Sequence, residues 1–176
     1  VLLATGGQIF VPGIPGVKGN PNVIPADKVL DGTEKLTGKV LIAGGGQIGI
    51  ETAHLLHEQG LDVTVVEMLG DILMKEEPMT RATIMPVILG SDMQILTDHR
   101  IEKVSEHAVT VTDLHTQEAK DLPFDTMVMA LGTKPYNPLE SAAREAFSDV
   151  RVIGDAQATA NIAEATKAGF FAGLNL

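Results

Sequence analysis

Four largely apolar runs in this chain each end at a glycine: Val1-Leu2-Leu3-Ala4 ahead of Thr5-Gly6-Gly7, Val40-Leu41-Ile42-Ala43 ahead of Gly44, Thr126-Met127-Val128-Met129-Ala130-Leu131 ahead of Gly132, and Val150-Arg151-Val152-Ile153 ahead of Gly154. Short apolar runs bounded by turn residues predict strands. Open α/β sheets take their ligands beyond the carboxyl ends of the strands, so the four glycine endings predict one shared ligand edge.

Between Lys39 and Gly70 the order is strand, glycine turn, helix and strand, with the helix closing at Gly60 and the second strand at Val63-Thr64-Val65-Val66. This is the grammar of a βαβ unit. A second helix is predicted over Met79 to Leu89, weakened by Pro86 and stopped at Gly90, followed by a strand at Met93 to Thr97. Residues 101–131 carry short alternating strands around a polar turn at His115 to Lys120, which predicts a small antiparallel insertion. Short helices are expected at Leu139 to Phe147 and Ala163 to Leu174. Residues Val11 to Pro25 hold four Pro and three Gly and predict a crossing linker, with a boundary near Lys39.

The first strand follows no initiator Met and has no earlier element to pair with, so the chain is expected to continue a longer protein. The strands at Val1 to Ala4 and Val150 to Ile153 are expected to pair with each other or with a second copy, giving either a homodimer or disordered termini.

Composition narrows the function classes. Thirteen Lys and Arg against 23 Asp and Glu leave a net charge of −10 with no basic cluster, which disfavours nucleic acid and anionic membranes as partners. No apolar run reaches the roughly 18 residues of a spanning helix, and no signal-peptide pattern is present, so a soluble cytoplasmic protein is expected. Zero cysteines exclude disulfides, thiolate metal sites and a C-x-x-C dithiol within these residues. With one Tyr and no Trp, stacking platforms for bases are scarce.

Gly44-Gly45-Gly46-Gln47-Ile48-Gly49 satisfies G-x-G-x-x-G, a pattern that is weak in isolation. Here it follows an apolar strand, opens a helix, and precedes a second strand ending at Glu67, 18 residues beyond Gly49. That context predicts a dinucleotide site. Gly44 permits the tight turn, Gly46 has no side chain to keep the pyrophosphate off the backbone, and Gly49 lets the helix lie close to the sheet. Free N–H groups and the positive end of the helix dipole face the phosphates. Glu67 is placed to accept hydrogen bonds from an adenosine ribose, which selects NAD(H); its alternative is a solvated surface acid.

The match to known families extends beyond this motif. Ala4-Thr5-Gly6-Gly7 with Pro12 and Pro15-Gly16, the strand–glycine–helix unit with Glu51, Ala130-Leu131-Gly132-Thr133-Lys134-Pro135, and Val152-Ile153-Gly154-Asp155-Ala156 together resemble the nucleotide-binding signatures of the FAD- and NAD-dependent pyridine nucleotide-disulfide oxidoreductases. Glu51-Thr52-Ala53-His54-Leu55-Leu56 and Asn161-Ile162-Ala163-Glu164-Ala165 are most similar to the C-terminal part of NADH:flavin oxidoreductases of the 2,4-dienoyl-CoA reductase, enoate reductase and trimethylamine dehydrogenase type.

The resemblance implies an α/β fold: a Rossmann-like parallel sheet flanked by helices, a small antiparallel β insertion, and the remnant of a second, FAD-type nucleotide-binding domain. It divides the chain into 1–36 (FAD-type remnant and linker), 37–135 (NAD-binding domain) and 136–176 (C-terminal part of the FAD-type domain). It implies that Asp155 hydrogen-bonds the flavin ribityl chain, with Gly154 allowing its approach, and that Thr5 and Gly6 pass near FAD. Gly132 is implied beside the nicotinamide and Glu51 near its carboxamide. The plain alternatives are a helix N-cap for Asp155 and a first-turn helix acid for Glu51. The family's own FAD loop, and in the nearest relatives a barrel with FMN and an iron–sulfur cluster, are implied to lie upstream.

No catalytic or metal-ligating residue is assigned. His54 and His57 share a helix face without a third ligand nearby in sequence, and Glu76 and Glu77 have no accompanying nucleophile. Three functions stay open: NADH docking for hydride transfer to FAD in a larger enzyme of which this chain alone is inactive, a structural ADP-binding module, and a piece of an NADH oxidase or coenzyme disulfide reductase.

Overall fold

The computed structural model describes residues 1–175. In chain order these form β1 (Leu2–Leu3), β2 (Gly7–Ile9), β3 (Val23–Pro25), α1 (Ala26–Leu30), β4 (Lys39–Ala43), α2 (Gln47–Glu58), β5 (Asp62–Val66), α3 (Pro78–Leu89), β6 (Gln94–Leu96), β7 (His99–Val104), β8 (Ala108–Asp113), β9 (Ala119–Pro123), β10 (Thr126–Met129), β11 (Thr133–Pro135), α4 (Glu140–Ala146), β12 (Arg151–Val152) and α5 (Ile162–Leu174). They divide into two compact units: Val11–Gly132, and Val1–Phe10 together with the residues from Thr133 onward.

The larger unit is built on a five-stranded parallel sheet in the order β3-β10-β4-β5-β6. Both of its faces are covered, which is why the central strands read as continuous apolar runs. Strand alternation divides their side chains. Val40, Ile42, Val63, Val65 and Val128 join Ile50, Ala53 and Leu56 of α2, Ala26 and Val29 of α1, and Ile88 of α3. Leu41, Ala43, Val66, Met127 and Met129 point the other way, into a core with Val104, Val109, Val111, Phe124 and Val17. That second core belongs to the antiparallel sheet β7-β8-β9. The result is three layers: helices, parallel sheet, antiparallel sheet. Each fully buried Leu or Ile contributes roughly 1.5–3 kcal/mol.

Two expectations need correction here. The strand at Thr126–Met129 is not part of the antiparallel insertion; it runs parallel between β3 and β4, in register Val128↔Ile24 and Val128↔Ile42. Its β-branched and Met pattern fits either sheet, and only burial on both faces distinguishes them. Nor is Val11 to Pro25 wholly a linker. Val23–Pro25 forms the edge strand of the parallel sheet, where a terminal Pro is tolerated because an edge leaves N–H groups unpaired in any case. Strand β3 and helix α1 therefore lie in the same compact unit as the glycine motif, whereas residues 1–36 were expected to belong with the FAD-type remnant.

Helix α3 starts at Pro78, whose missing N–H costs nothing in a first turn, and carries Pro86 inside it. The β8–β9 turn is organised by Asp113, whose carboxylate accepts the N–H groups of His115 and Thr116. Those bonds hold the Asp113 carboxyl below the usual carboxylate range, with smaller help from the charges of His99 and His115.

In the smaller unit the two end strands pair with each other: β1 and β12 are parallel, Leu2 opposite Arg151 and Leu3 opposite Val152. A second ribbon joins β2 and β11 in antiparallel register. The four glycine endings thus lie on two sheets rather than one, Ala43 and Met129 as neighbours in the first and Leu3 and Val152 as neighbours in the second.

Candidate dinucleotide-binding site

The glycine loop leaves β4 and enters α2 directly, and its glycines do different jobs. Gly44 has φ +109°, and a Cβ there would sit 2.6 Å from the Ala130 carbonyl. A Cβ on Gly45 would meet Ile72 Cγ2 at 2.8 Å and Glu67 Cβ at 3.1 Å. On Gly49 it would lie 2.0 Å from the Gly44 carbonyl oxygen. Gly46 differs from these three. It has ordinary φ, and nothing lies within 4 Å of the position its Cβ would take. Three glycines are thus required by the protein's own packing, and the fourth faces open space.

Gly46 is also the N-cap of α2, with extended backbone and no side-chain hydrogen bond to the first turn. Gly46, Gln47 and Ile48 are exposed. The first N–H groups of a helix have no internal acceptor, so an exposed, side-chain-free N-terminus suits an anionic phosphate. Gln47 Nε2 donates to Glu51 Oε1 at 2.8 Å. Glu51 lies beyond the first turn, which contains no acid, so the dipole alternative for that residue does not hold.

Glu67 follows β5 and is half-buried. Its Oε2 accepts the Gly45 N–H at 2.6 Å and its Oε1 the Leu69 N–H at 2.8 Å. Its backbone is held as well: Glu67 N–H donates to Leu96 O, and His99 N–H donates to Glu67 O. A freely solvated surface acid does not describe this side chain. Two acceptor directions remain on the carboxylate after the two backbone bonds.

The segment after Glu67 contains what the sequence reading missed. Ile72 and Leu73 are buried over the glycine loop, and Leu73 N–H donates to Gly45 O. Arg81, from the first turn of α3, pairs with Asp71 and donates through Nε to Ile72 O. Nothing in the local sequence signals this pair, since the two residues are ten apart and meet only because α3 turns back on the loop. Asp98, at φ +54°, donates its N–H to Leu69 O and lies beside Gly70.

Gly132, at φ +93° and exposed, follows the Ala130-Leu131 segment that abuts Gly44. The remaining expected residues fall in the smaller unit. Thr5 donates its hydroxyl to Tyr136 O, and Gly6, at φ +79°, accepts the Tyr136 N–H. Gly154 has φ +59°, and Asp155 Oδ1 accepts the Ala160 N–H. Asp155 is therefore not the cap of α5; that position belongs to Asn161, which accepts the Glu164 N–H. Among the described residues no group of three or more His, Cys, Asp or Glu is arranged to hold a metal, and no helix is long and apolar enough to cross a membrane.

Comparison with known proteins gives this geometry a family. The chain is 33% identical to a bilirubin reductase of Mediterraneibacter gnavus over 174 residues, covering 98% of this chain and 26% of that protein. It is 35% identical to an NADH oxidase of Thermoanaerobacter brockii, covering 97% and 27%. Among solved structures, a 2-naphthoyl-CoA reductase in complex with 2-naphthoyl-CoA superposes with a TM-score of 0.89 at 26% identity, over 99% of this chain and 26% of that one. The chain spans about a quarter of the length of these relatives. The family model for pyridine nucleotide-disulphide oxidoreductases matches residues 1–164, and the chain belongs to that family of FAD- and NAD(P)H-binding oxidoreductases.

Proposed function

We propose that this chain is the NADH-docking section of a larger flavin-dependent oxidoreductase of the enoate-reductase type. The observation that carries the reading is the open, uncapped α2 N-terminus at Gly46, flanked by a carboxylate already aimed at the loop. Gly46 to Gly49 take the pyrophosphate, Glu67 the adenosine ribose, and Gly132 with Glu51 the nicotinamide end. When bound, NADH supplies a hydride to FAD, and the chain's own part is position and electrostatics. Thr5, Gly6, Gly154 and Asp155 are the chain's contribution to the flavin side. The electron acceptor, and any FMN or iron–sulfur centre, belong to the remaining three quarters of such an enzyme.

The matched relatives include a bilirubin reductase, a cinnamate reductase and a 2-naphthoyl-CoA reductase, which favours a reductase of unsaturated organic substrates as the parent activity. The competing reading is a structural module that binds ADP alone, favoured by the fact that Glu67 and the glycine loop, the most completely built contacts, address only the ADP half. Calorimetric titration of the chain with NADH and with ADP separates the two. Tighter binding of NADH supports docking, equal binding supports the structural module, and binding of neither removes both.

A further inference from the structure

We propose that Asp71 determines cofactor choice by withholding Arg81 from the 2′-phosphate of NADPH. The inference rests on the NADH-docking reading above. Rossmann-type sites that accept NADPH place an Arg near the end of the second strand. From Glu67 through Arg81 this chain has two cations, Lys75 and Arg81, against four acids, Glu67, Asp71, Glu76 and Glu77. Arg81 is the cation that the structure brings back onto the loop. Its guanidinium pairs with Asp71 Oδ2, while Asp71 Oδ1 accepts the Ile72 N–H at 2.8 Å. A further carboxylate, Asp98, stands beside Gly70 and is paired with His115 at 3.3 Å.

The pair as a whole is electrically neutral, so the adenosine end presents Glu67 with no uncompensated cation from Arg81. Removing only the Asp71 charge changes that balance from zero to plus one. The guanidinium keeps its place in the first turn of α3 and its 3.4 Å Nε contact to Ile72 O, and the amide oxygen of an asparagine in place of Asp71 can still accept the Ile72 N–H. Ile72 packs against Gly45, so the freed charge would remain on the segment that covers the glycine loop. A dianionic phosphate within one Debye length of that half-exposed cation, about 8 Å at physiological ionic strength, would gain an attraction that salt weakens but does not remove.

The test is calorimetric titration of the 176-residue chain with NADH, NADPH, 5′-AMP and adenosine 2′,5′-bisphosphate, with thermal melting of every variant. The Asp71→Asn change is expected to tighten NADPH and the bisphosphate about tenfold while NADH and AMP move less than about twofold. Asp71→Asn with Arg81→Gln should lose the gain, and Asp71→Asn with Lys75→Gln should keep it. If Asp71→Asn does not fold, Asp71→Ser, which also removes the charge and keeps an acceptor for the Ile72 N–H, should give the same gain. An unchanged NADPH to NADH ratio in Asp71→Asn, or a gain that survives Arg81→Gln, overturns the proposal and leaves the docking reading standing. Failure of the unmodified chain to bind NADH overturns both.

Discussion

The Glu67 carboxylate and the Gly45 N–H are joined by a 2.6 Å hydrogen bond, so the acid that follows β5 is tied to the middle of the glycine loop. A side chain held in this way loses little freedom on meeting a ribose. The 2′-phosphate of NADPH would bring like charge against it. The unmodified chain is expected to prefer NADH by about ten- to a hundredfold, a difference of roughly 1.4–2.8 kcal/mol. Glu67→Gln should narrow that ratio about tenfold. Because an amide NH2 would then face either Gly45 N–H or Leu69 N–H, some stability should be lost too, about 1–3 kcal/mol for an unpaired donor. Titration with both cofactors at a temperature well below the melting point distinguishes the two effects. An unchanged ratio would mean that Glu67 serves the loop alone.

The glycines of the loop offer a cleaner separation of folding from binding. Gly46→Ala adds a methyl group to open space at an ordinary φ, so its folding cost is only that of a poorer N-cap, about 1 kcal/mol, and its melting temperature should stay within about 4 °C of the unmodified chain. NADH affinity should fall at least tenfold, since the methyl group would stand where the pyrophosphate approaches. Gly49→Ala should do the reverse. Its Cβ would lie 2.0 Å from the Gly44 carbonyl, forcing α2 off the sheet, and a loss of about 2–4 kcal/mol is expected by chemical denaturation. Equal effects of the two substitutions on melting would show that Gly46 is not the open position.

What the sequence made legible here was whatever a local pattern encodes. The glycine spacing, the apolar runs of β4 and β5 and the helix between them need only neighbours along the chain, and Glu67 was found from its distance past Gly49. The Thr126–Met129 strand was legible as a strand but not as a parallel one, because its partners Ile24 and Ile42 lie about a hundred residues away in sequence. Strand β3 was hidden by the Pro and Gly around it, which describe turns well and an edge strand poorly. The Asp71–Arg81 pair and the Asp98 corner are tertiary facts with no local signature. At Asp155 it is the plain alternative, a helix cap, that the structure removes, because Asn161, six residues later, takes that position.

Acid should loosen the β8–β9 turn before the parallel sheet. Asp113 has its carboxyl held below the ordinary value of 3.8 by the N–H groups of Thr116 and His115. A lowered carboxyl pKa contributes stability that is complete above the ordinary value and is lost as pH falls through the folded-state value. Amide exchange protection at His115 and Thr116, followed by NMR from pH 6 downward, should therefore persist to below 3.8 and then disappear. Asp113→Asn should remove that dependence. Protection lost already near pH 5 would contradict the assignment.

The segment that precedes β3 should prove to be structural, through Gly16. Its φ is +82°, and a Cβ there would lie 1.7 Å from the Val104 carbonyl oxygen, while Val104 N–H donates to Pro15 O at 2.8 Å. The backbone at Pro15 and Gly16 thus lies directly on the last residue of β7, and the neighbouring Val17 is buried in the core between the two sheets. Gly19 provides the control. It has nearly the same φ, +81°, with nothing within 4 Å of its Cβ position. Gly19→Ala should cost only the left-handed backbone penalty, about 1–2 kcal/mol. Gly16→Ala bears that penalty and the clash, and should cost about 2–5 kcal/mol by urea denaturation. Were Val11 to Pro25 merely a connection, the two substitutions would cost the same, because a flexible segment would move away from Val104 and relieve the contact.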